Sequence, residues 1–296
     1  MEIGPLISVV IGSYNRNRFL QLTIDSVRED LKSIPHEILI VDGGSTDGTL
    51  KWLMKQKDII TIVQHNRGKW NGKEIRRKSW GYYMNLGFKC AQGKYVCMLS
   101  DDCLIVPGAI VNGYELFDQM LKKGQNVGAI AFNWRNWPEE EKYHVQLTLG
   151  NKMSVNHGMY LKKALEDVGY IDEQTYHFYH ADGDLCLKMW HEGYSVVNSP
   201  DSYIEHYSHA DPFLRRSNAE KEEIDRRNYL NKWKGIIDDE VYEKGTTYGG
   251  SIEKDYIDPN NTAEKFEFYH SLNFKWKIYR FAMLIKSKYK IIRNID

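Results

Sequence analysis

The sequence predicts an α/β fold, with a mostly parallel central sheet flanked by helices. Two observations carry this expectation. Short, β-branched apolar runs alternate with amphipathic helical segments, and each run ends in a polar cluster, as a buried strand ends in a loop. In such sheets, ligands bind in the crevice where the strands' carboxyl ends open.

The elements follow in order. Leu6–Gly12 reads as a buried strand that ends in Ser13-Tyr14-Asn15-Arg16. Phe19–Leu31 reads as a helix, with Leu20, Ile24, Val27 and Leu31 on one face. A second strand, Glu37–Val41, ends at Asp42, and the turn Gly43–Thr49 leads to a helix from Leu50. Ile59–Val63 is a third strand, Tyr95–Leu99 runs into Ser100-Asp101-Asp102, and Val127–Phe132 makes a fifth. A helix over Leu185–His191 follows His180-Ala181-Asp182-Gly183-Asp184, and the strand Tyr203–Ile204 precedes Glu205-His206.

No repeat, low-complexity tract or Pro-Gly-Ser linker marks a boundary before residue 211. Beyond it, Arg215–Lys234 is charged and helical, Gly245–Asn261 is polar and loop-like, and Phe274–Arg293 is basic and aromatic. The expected organisation is one domain over residues 1–211 and a helical, basic C-terminal extension over 212–296.

Bulk properties narrow the function. In 296 residues, 40 Lys and Arg balance 40 Asp and Glu, so average charge gives no argument for a nucleic-acid partner. The four cysteines follow neither a C-x-x-C nor a zinc spacing, which fits buried thiols in a reducing compartment. The opening Met-Glu-Ile-Gly-Pro lacks the basic region of a secretory leader, and no apolar run approaches the roughly 20 residues of a membrane span. A cytoplasmic location is expected.

Chemistry concentrates in the acids at strand ends. Asp101 and Asp102 follow a buried strand and can offer a carboxylate to a hard cation at the crevice mouth. Magnesium uses only one or two protein carboxylates together with substrate phosphates, so a sparse pair suits a metal shared with a diphosphate. Asp42 also ends a strand, where an acid can accept from a nucleobase or a ribose hydroxyl; capping the next helix is its ordinary alternative. Asp182 and Asp184 stand before a helix, as caps or as a general base, and His206 can supply an imidazole to the metal.

Together these segments resemble family 2 glycosyltransferases of the GT-A fold over roughly residues 6–235. The carriers are Ile7-Ser8-Val9-Val10-Ile11 with Ser13-Tyr14-Asn15-Arg16; Ile40–Thr49; Met84-Asn85-Leu86-Gly87 with Ala91–Tyr95; Leu99–Asp102; Val168–Glu173; His180–Leu185; and His206. The resemblance implies a nucleotide-sugar half over about 1–102 and an acceptor half over about 103–211. It implies donor binding by Ser13, Tyr14, Asn15, Asp42, Asn66, Asp101 and Asp102, with Tyr14 near the base. It further implies Mn2+ or Mg2+ at Asp102 and His206, Asp182 as the catalytic base, and inversion at the anomeric carbon. The expected donor is a nucleotide-diphospho-sugar, UDP-linked first; the acceptor is a saccharide or lipid-linked saccharide.

Departures are visible. Gly43 stands where many relatives have a second aspartate, Met84 where many have arginine, and Ala181 where an acid is usual. The basic segment Lys69–Lys78 is longer than usual, and Arg76 or Arg77 could reach the diphosphate. Trp134 and Trp137 are candidates for stacking on an acceptor sugar. Lys275–Arg293 carries cations without an acid and suits an anionic membrane surface as well as a packed terminal helix. The competing reading is a noncatalytic nucleotide- or glycan-binding protein of the same fold. A glycine-rich phosphate loop and a G-x-G-x-x-G fingerprint are both missing, which argues against nucleotidyl transfer and dinucleotide redox chemistry.

Overall fold

In the computed structural model of the chain, the described residues are 4–207, 220–237 and 250–266. The chain divides into two compact units, Met1–Ile257 and Asp258–Asp296. In the second, the described residues hold a short 3-10 helix, Thr262–Phe266. The expected boundary at residue 211 and the basic segment Lys275–Arg293 lie outside the described residues.

The first unit is built on β1 (Ile7–Ser13), β2 (His36–Asp42), β3 (Ile59–Val63) and β6 (Tyr95–Ser100), which pair in parallel in the order β6-β1-β2-β3. Successive side chains of a strand point to opposite faces. Val9 and Ile11 of β1 therefore join Leu20, Ile24 and Val27 of α1 (Asn17–Asp30) on one face, while Val10 packs with Met84 and Phe88 of α3 (Trp80–Cys90) on the other. A strand covered on both faces must be apolar throughout, which is why these runs do not alternate.

Antiparallel β10 (Gly158–Leu161) joins β6 to β8 (Val127–Asn136), and β8 pairs in parallel with β11 (Ser195–His206). β11 also pairs antiparallel with the short β7 (Cys103–Ile105). The expected strand Val127–Phe132 extends to Asn136, because Asn133–Asn136 find hydrogen-bonding partners in Tyr203–His206.

Three segments differ from expectation for identifiable reasons. The basic stretch after Gly68 is an exposed hairpin, β4 (Lys69–Trp70) and β5 (Lys73–Glu74), turned at Asn71 and Gly72 with φ of 48° and 76°. Asn-Gly with both φ positive matches the twist of a tight hairpin. Helix α6 begins at Ala181, four residues before the apolar periodicity starts, with His180 at φ 65° before it. Asp182 and Asp184 thus sit in its first turn, where carboxylates favour the helix dipole. The polar stretch expected as a loop carries β12 (Gly250–Lys254), an edge strand on β9 (Tyr143–Leu147). A solvated edge strand needs backbone partners on one side only, so apolar patterning gave no signal. Helices α2 (Thr49–Leu53), α4 (Ala109–Lys122) and α5 (Lys162–Asp167) complete the series, and α7 (Glu222–Trp233) falls where a charged helix was expected. No helix among the described residues is long and apolar enough to cross a membrane.

Candidate active site

Register brings the polar clusters to one edge. Ser13 pairs with Asp42 and Gly12 with Ser100, so the chain leaves β1, β2 and β6 side by side. A cleft of about 220 Å³ opens there, and Ser13, Tyr14, Asn66 and Asp101 line it. Arg16, Arg67, Arg77 and Lys78 bring positive charge to its walls, while Trp80, Asn156, His177 and Phe178 extend it toward α6.

Asp42 and Asn15 serve the turn rather than the cleft wall. Asp42 is fully buried and accepts from Gly44 N (2.8 Å), Ser45 N (2.7 Å) and Ser45 Oγ (2.6 Å). Asn15 N donates to Ser45 Oγ at 2.8 Å, and its Oδ1 accepts from Thr46 N at 2.7 Å. A Cβ at Gly43 would lie 3.1 Å from the Tyr14 ring, a tight contact that the ring would have to shift by a few tenths of an ångström to accept. The Arg67 guanidinium lies 5.5 Å from the centre of that same ring. Asn66 Oδ1 accepts from Lys78 N at 2.6 Å, closing the base of the β4–β5 hairpin.

The acid pair shares one cation. Arg16 Nη1 donates to Asp101 Oδ1 at 2.7 Å and to Asp102 Oδ2 at 2.6 Å. Burial pushes the Asp101 carboxyl up, and the adjacent Asp102 charge adds to that against the pull of Arg16. Burial opposes ionisation of Asp102 too, but Arg16, joined by the His206 imidazole whenever both of its ring nitrogens carry protons, outweighs it and holds that carboxyl below the usual range.

Strand pairing creates the second half of this centre. Because β11 runs antiparallel to β7 with His206 opposite Cys103, the imidazole arrives beside Asp102. His206 Nε2 lies 3.3 Å from Asp102 Oδ1, which is buried and meets no donor in good hydrogen-bond geometry. The parallel register with β8 places Asn136 opposite His206, and Asn136 Oδ1 lies 3.0 Å from His206 Nδ1. Asn136 Nδ2 donates to Glu140 Oε1 at 2.9 Å, which fixes the amide with its oxygen toward the imidazole. Nδ1 therefore carries a proton, and in the neutral ring Nε2 aims a lone pair at a carboxylate oxygen. Two acceptors facing each other fit a divalent cation, and tying up the far ring nitrogen is what orients ligating histidines. Among the described residues no three His, Cys, Asp or Glu side chains form a closed metal cage. The pair thus suits an ion whose remaining ligands are water and phosphate.

Neutral His157 backs this pair. Its ring is 5.3 Å from that of His206, and burial, reinforced by His206, pushes its pKa down to about 3. Trp134 packs 4.4 Å from His144 and 5.7 Å from His206, and Trp137 lies 6.3 Å from Tyr207. Neither is part of the cleft lining.

The two acids of α6 divide their work. Asp184 is fully buried and accepts from Lys232 Nζ (2.8 Å), Trp233 Nε1 (2.9 Å) and Tyr176 OH (3.1 Å). Asp182 Oδ1 accepts from Gly183 N at 2.8 Å, and its Oδ2 accepts from Asn156 Nδ2 at 2.9 Å. Asn156 lines the cleft, and its amide ties the Asp182 carboxylate to that wall. Burial raises the Asp182 carboxyl above its ordinary value. Sequence reasoning did not single out Asn136, Asn156 or His157, because each acts through a partner distant in the chain; Arg16 stood inside the first motif without a role.

Acids and cations along the carboxyl ends of parallel strands define an α/β protein whose crevice suits an anionic, hydroxyl-rich ligand. The family model of glycosyl transferase family 2 matches residues 8–169, more than half of the chain, and the chain belongs to that family. The chondroitin synthase of Pasteurella multocida (strain Pm70) is 30% identical over 105 residues, covering 34% of this chain and 10% of that protein. The putative teichuronic acid biosynthesis glycosyltransferase TuaG of Bacillus subtilis (strain 168) is 34% identical over 104 residues, covering 33% of this chain and 36% of that one. The chain therefore matches only a tenth to about a third of the length of these relatives. Its fold is similar to S. aureus TarS, with TM-score 0.54 and 17% identity over 78% of this chain and 44% of that one. It is also similar to the mannosyltransferase PcManGT from Pyrobaculum calidifontis, solved in complex with GDP-Man and Mn2+ (TM-score 0.55, 16% identity, 78% of this chain and 65% of that one). These likenesses establish the GT-A architecture expected from the sequence.

Proposed function

We propose that the chain transfers a sugar from a nucleotide-diphosphate donor to a hydroxyl of a saccharide or lipid-linked saccharide, with inversion. The facing pair of Asp102 Oδ1 and His206 Nε2 at 3.3 Å carries this reading, because it suits a cation shared with a diphosphate. A divalent ion bound there supplies Lewis-acid stabilisation of the negative charge that develops on the leaving diphosphate. The Mn2+ complex of PcManGT supports that assignment.

The chain's own residues do the rest. Tyr14 and Ser13 hold the nucleoside end, with the Arg67 guanidinium against the Tyr14 ring. Asp101 meets the donor's ribose or sugar. Asp182 takes the acceptor hydroxyl's proton as that oxygen bonds to the anomeric carbon and the bond to phosphate breaks. Asn156 holds the base's carboxylate by its Oδ2. One base and one displacement give inversion.

Thermal unfolding with UDP, GDP, dTDP or CMP, each with and without Mn2+, tests the reading. A ligand bound only by the folded state raises stability with its concentration over Kd. A Mn2+-dependent rise with one diphosphate, UDP first, is the expected result; none with any would leave the noncatalytic reading. The anomer formed, read by NMR, tests inversion, and retention would end it. Acceptors on lipid are consistent with Lys275–Arg293, where Lys275, Lys277, Arg280 and Lys286 are interleaved with Trp276, Ile278 and Phe281. Co-sedimentation with anionic liposomes, lost on truncation at Lys275, checks that surface.

A further inference from the structure

We infer that Trp80 and Phe178 form the platform on which the acceptor's sugar ring lies. The inference rests on the proposed transfer and names a contact which that reading leaves unassigned.

The starting observation is a loop held from two sides. Asp225 of α7, fully buried, accepts backbone N–H groups from three consecutive residues: His177 at 2.8 Å, Phe178 at 2.9 Å and Tyr179 at 3.0 Å. Its Oδ1 also lies 3.1 Å from His177 Nδ1. On the other side, His177 O accepts from Trp80 N, the first residue of α3, at 2.9 Å. A buried carboxylate satisfied by successive amides fixes a backbone far more firmly than a solvated loop requires.

The fixed segment presents an aromatic ring to the cleft. Phe178 remains 37% exposed although its backbone is tied down. Its ring lies 6.3 Å from that of Trp80 at an interplanar angle of 58°, so the two faces make an open corner. Both residues line the cleft together with His177 and Lys78. Burying Phe178 would have been favourable in itself, so a rigid loop that keeps it in the opening points to a ligand.

The chemistry of the corner selects the ligand class. Aromatic faces carry partial negative charge, and the C–H face of a pyranose is weakly positive and apolar. Hydroxyls at the ring's rim can then reach His177 and Lys78. Four residues after Phe178 the chain reaches Asp182 in the first turn of α6. A sugar on this corner is therefore on the base's side of the cleft, whereas Tyr14 and Gly43 mark the nucleoside side.

The test uses methyl glycosides of glucose, galactose, N-acetylglucosamine and glucuronic acid, each with UDP and Mn2+, and saturation-transfer NMR on the whole protein. At least one glycoside should receive transfer at its ring protons, and Phe178→Ala should weaken its binding about tenfold, with Phe178→Tyr restoring it. Trp80→Ala should act in the same direction. Undiminished transfer in Phe178→Ala, or none to any of the four in the unaltered protein, overturns the platform. If Phe178→Ala instead abolishes the thermal shift with UDP alone, the corner holds the base, and the inference falls. A UDP shift that persists while the platform fails leaves the transferase reading intact; absence of that shift in the unaltered protein removes both.

Discussion

His206 Nε2 and Asp102 Oδ1 face each other at 3.3 Å, and the pairing of β11 with β7 brings them there from 104 positions apart in sequence. The same strand pairs with β8, which supplies Asn136 to the far side of the imidazole. One strand thus delivers the histidine to its acid and to the amide that sets its tautomer.

Asn136 makes this arrangement testable without touching the pair itself. In Asn136→Ala, Nδ1 loses its acceptor and the ring is free to turn. The Mn2+ affinity in the presence of UDP should fall about 10–100-fold, as for other residues that orient metal ligands. Titrating Mn2+ against thermal stability at fixed UDP measures it, and an unchanged midpoint would show that Asn136 does not set the histidine.

Arg16 is expected to neutralise the acid pair when no other cation is near. Arg16→Met leaves two buried carboxylates without that partner, a loss of about 3–5 kcal/mol at neutral pH. Without Arg16 both folded-state pKa values rise. Protonation then relieves part of the penalty as pH falls, and the parent loses its own Arg16–Asp102 stabilisation only below the ordinary aspartate range, so the gap between mutant and parent urea midpoints should narrow steadily on acidification. Mn2+ should also recover more stability in the mutant than in the parent, and equal recovery would separate Arg16 from the cation site.

Asp182→Asn should retain the UDP shift and reduce turnover by about 10²–10⁴, because the amide keeps the shape but accepts no proton. Transfer assays with the donor identified by the thermal panel measure this. Near-parental turnover would take Asp182 out of the mechanism.

The strand-end acids were legible because continuous apolar runs broken by polar clusters have few other readings. Ile59–Val63 matches its strand end to end, since an apolar run bounded by polar residues fixes both limits. The full extent of β11 was not legible beyond Tyr203–Ile204: Asn198, Ser199, Pro200 and Asp201 break the apolar pattern, and the register itself shifts between Asn198 and Tyr203. Trp134 and Phe178 show the limit for aromatics. Both follow or precede motif residues, but only tertiary packing decides that Trp134 backs the histidines while Phe178 lines the cleft. Asp225 carried no signal among the acids that open a charged helix, because its partners are backbone amides.

The last prediction concerns pH. Burial raises the Asp182 carboxyl above 3.8, so the proton lingers to higher pH and the base form is lost earlier on acidification. The acid limb of kcat/KM should therefore lie above the ordinary aspartate range. Asn156 donates to Oδ2 at 2.9 Å and favours the ionised form. Asn156→Leu removes that donor and should move the acid limb to higher pH, leaving the plateau rate nearer to the parent's than Asp182→Asn does. Donor binding, read by the UDP shift above the limb, should persist. A limb that stays in place when the Asn156 amide is removed would mean that the titrating group is not Asp182, and a limb that moves down would contradict the hydrogen bond's direction.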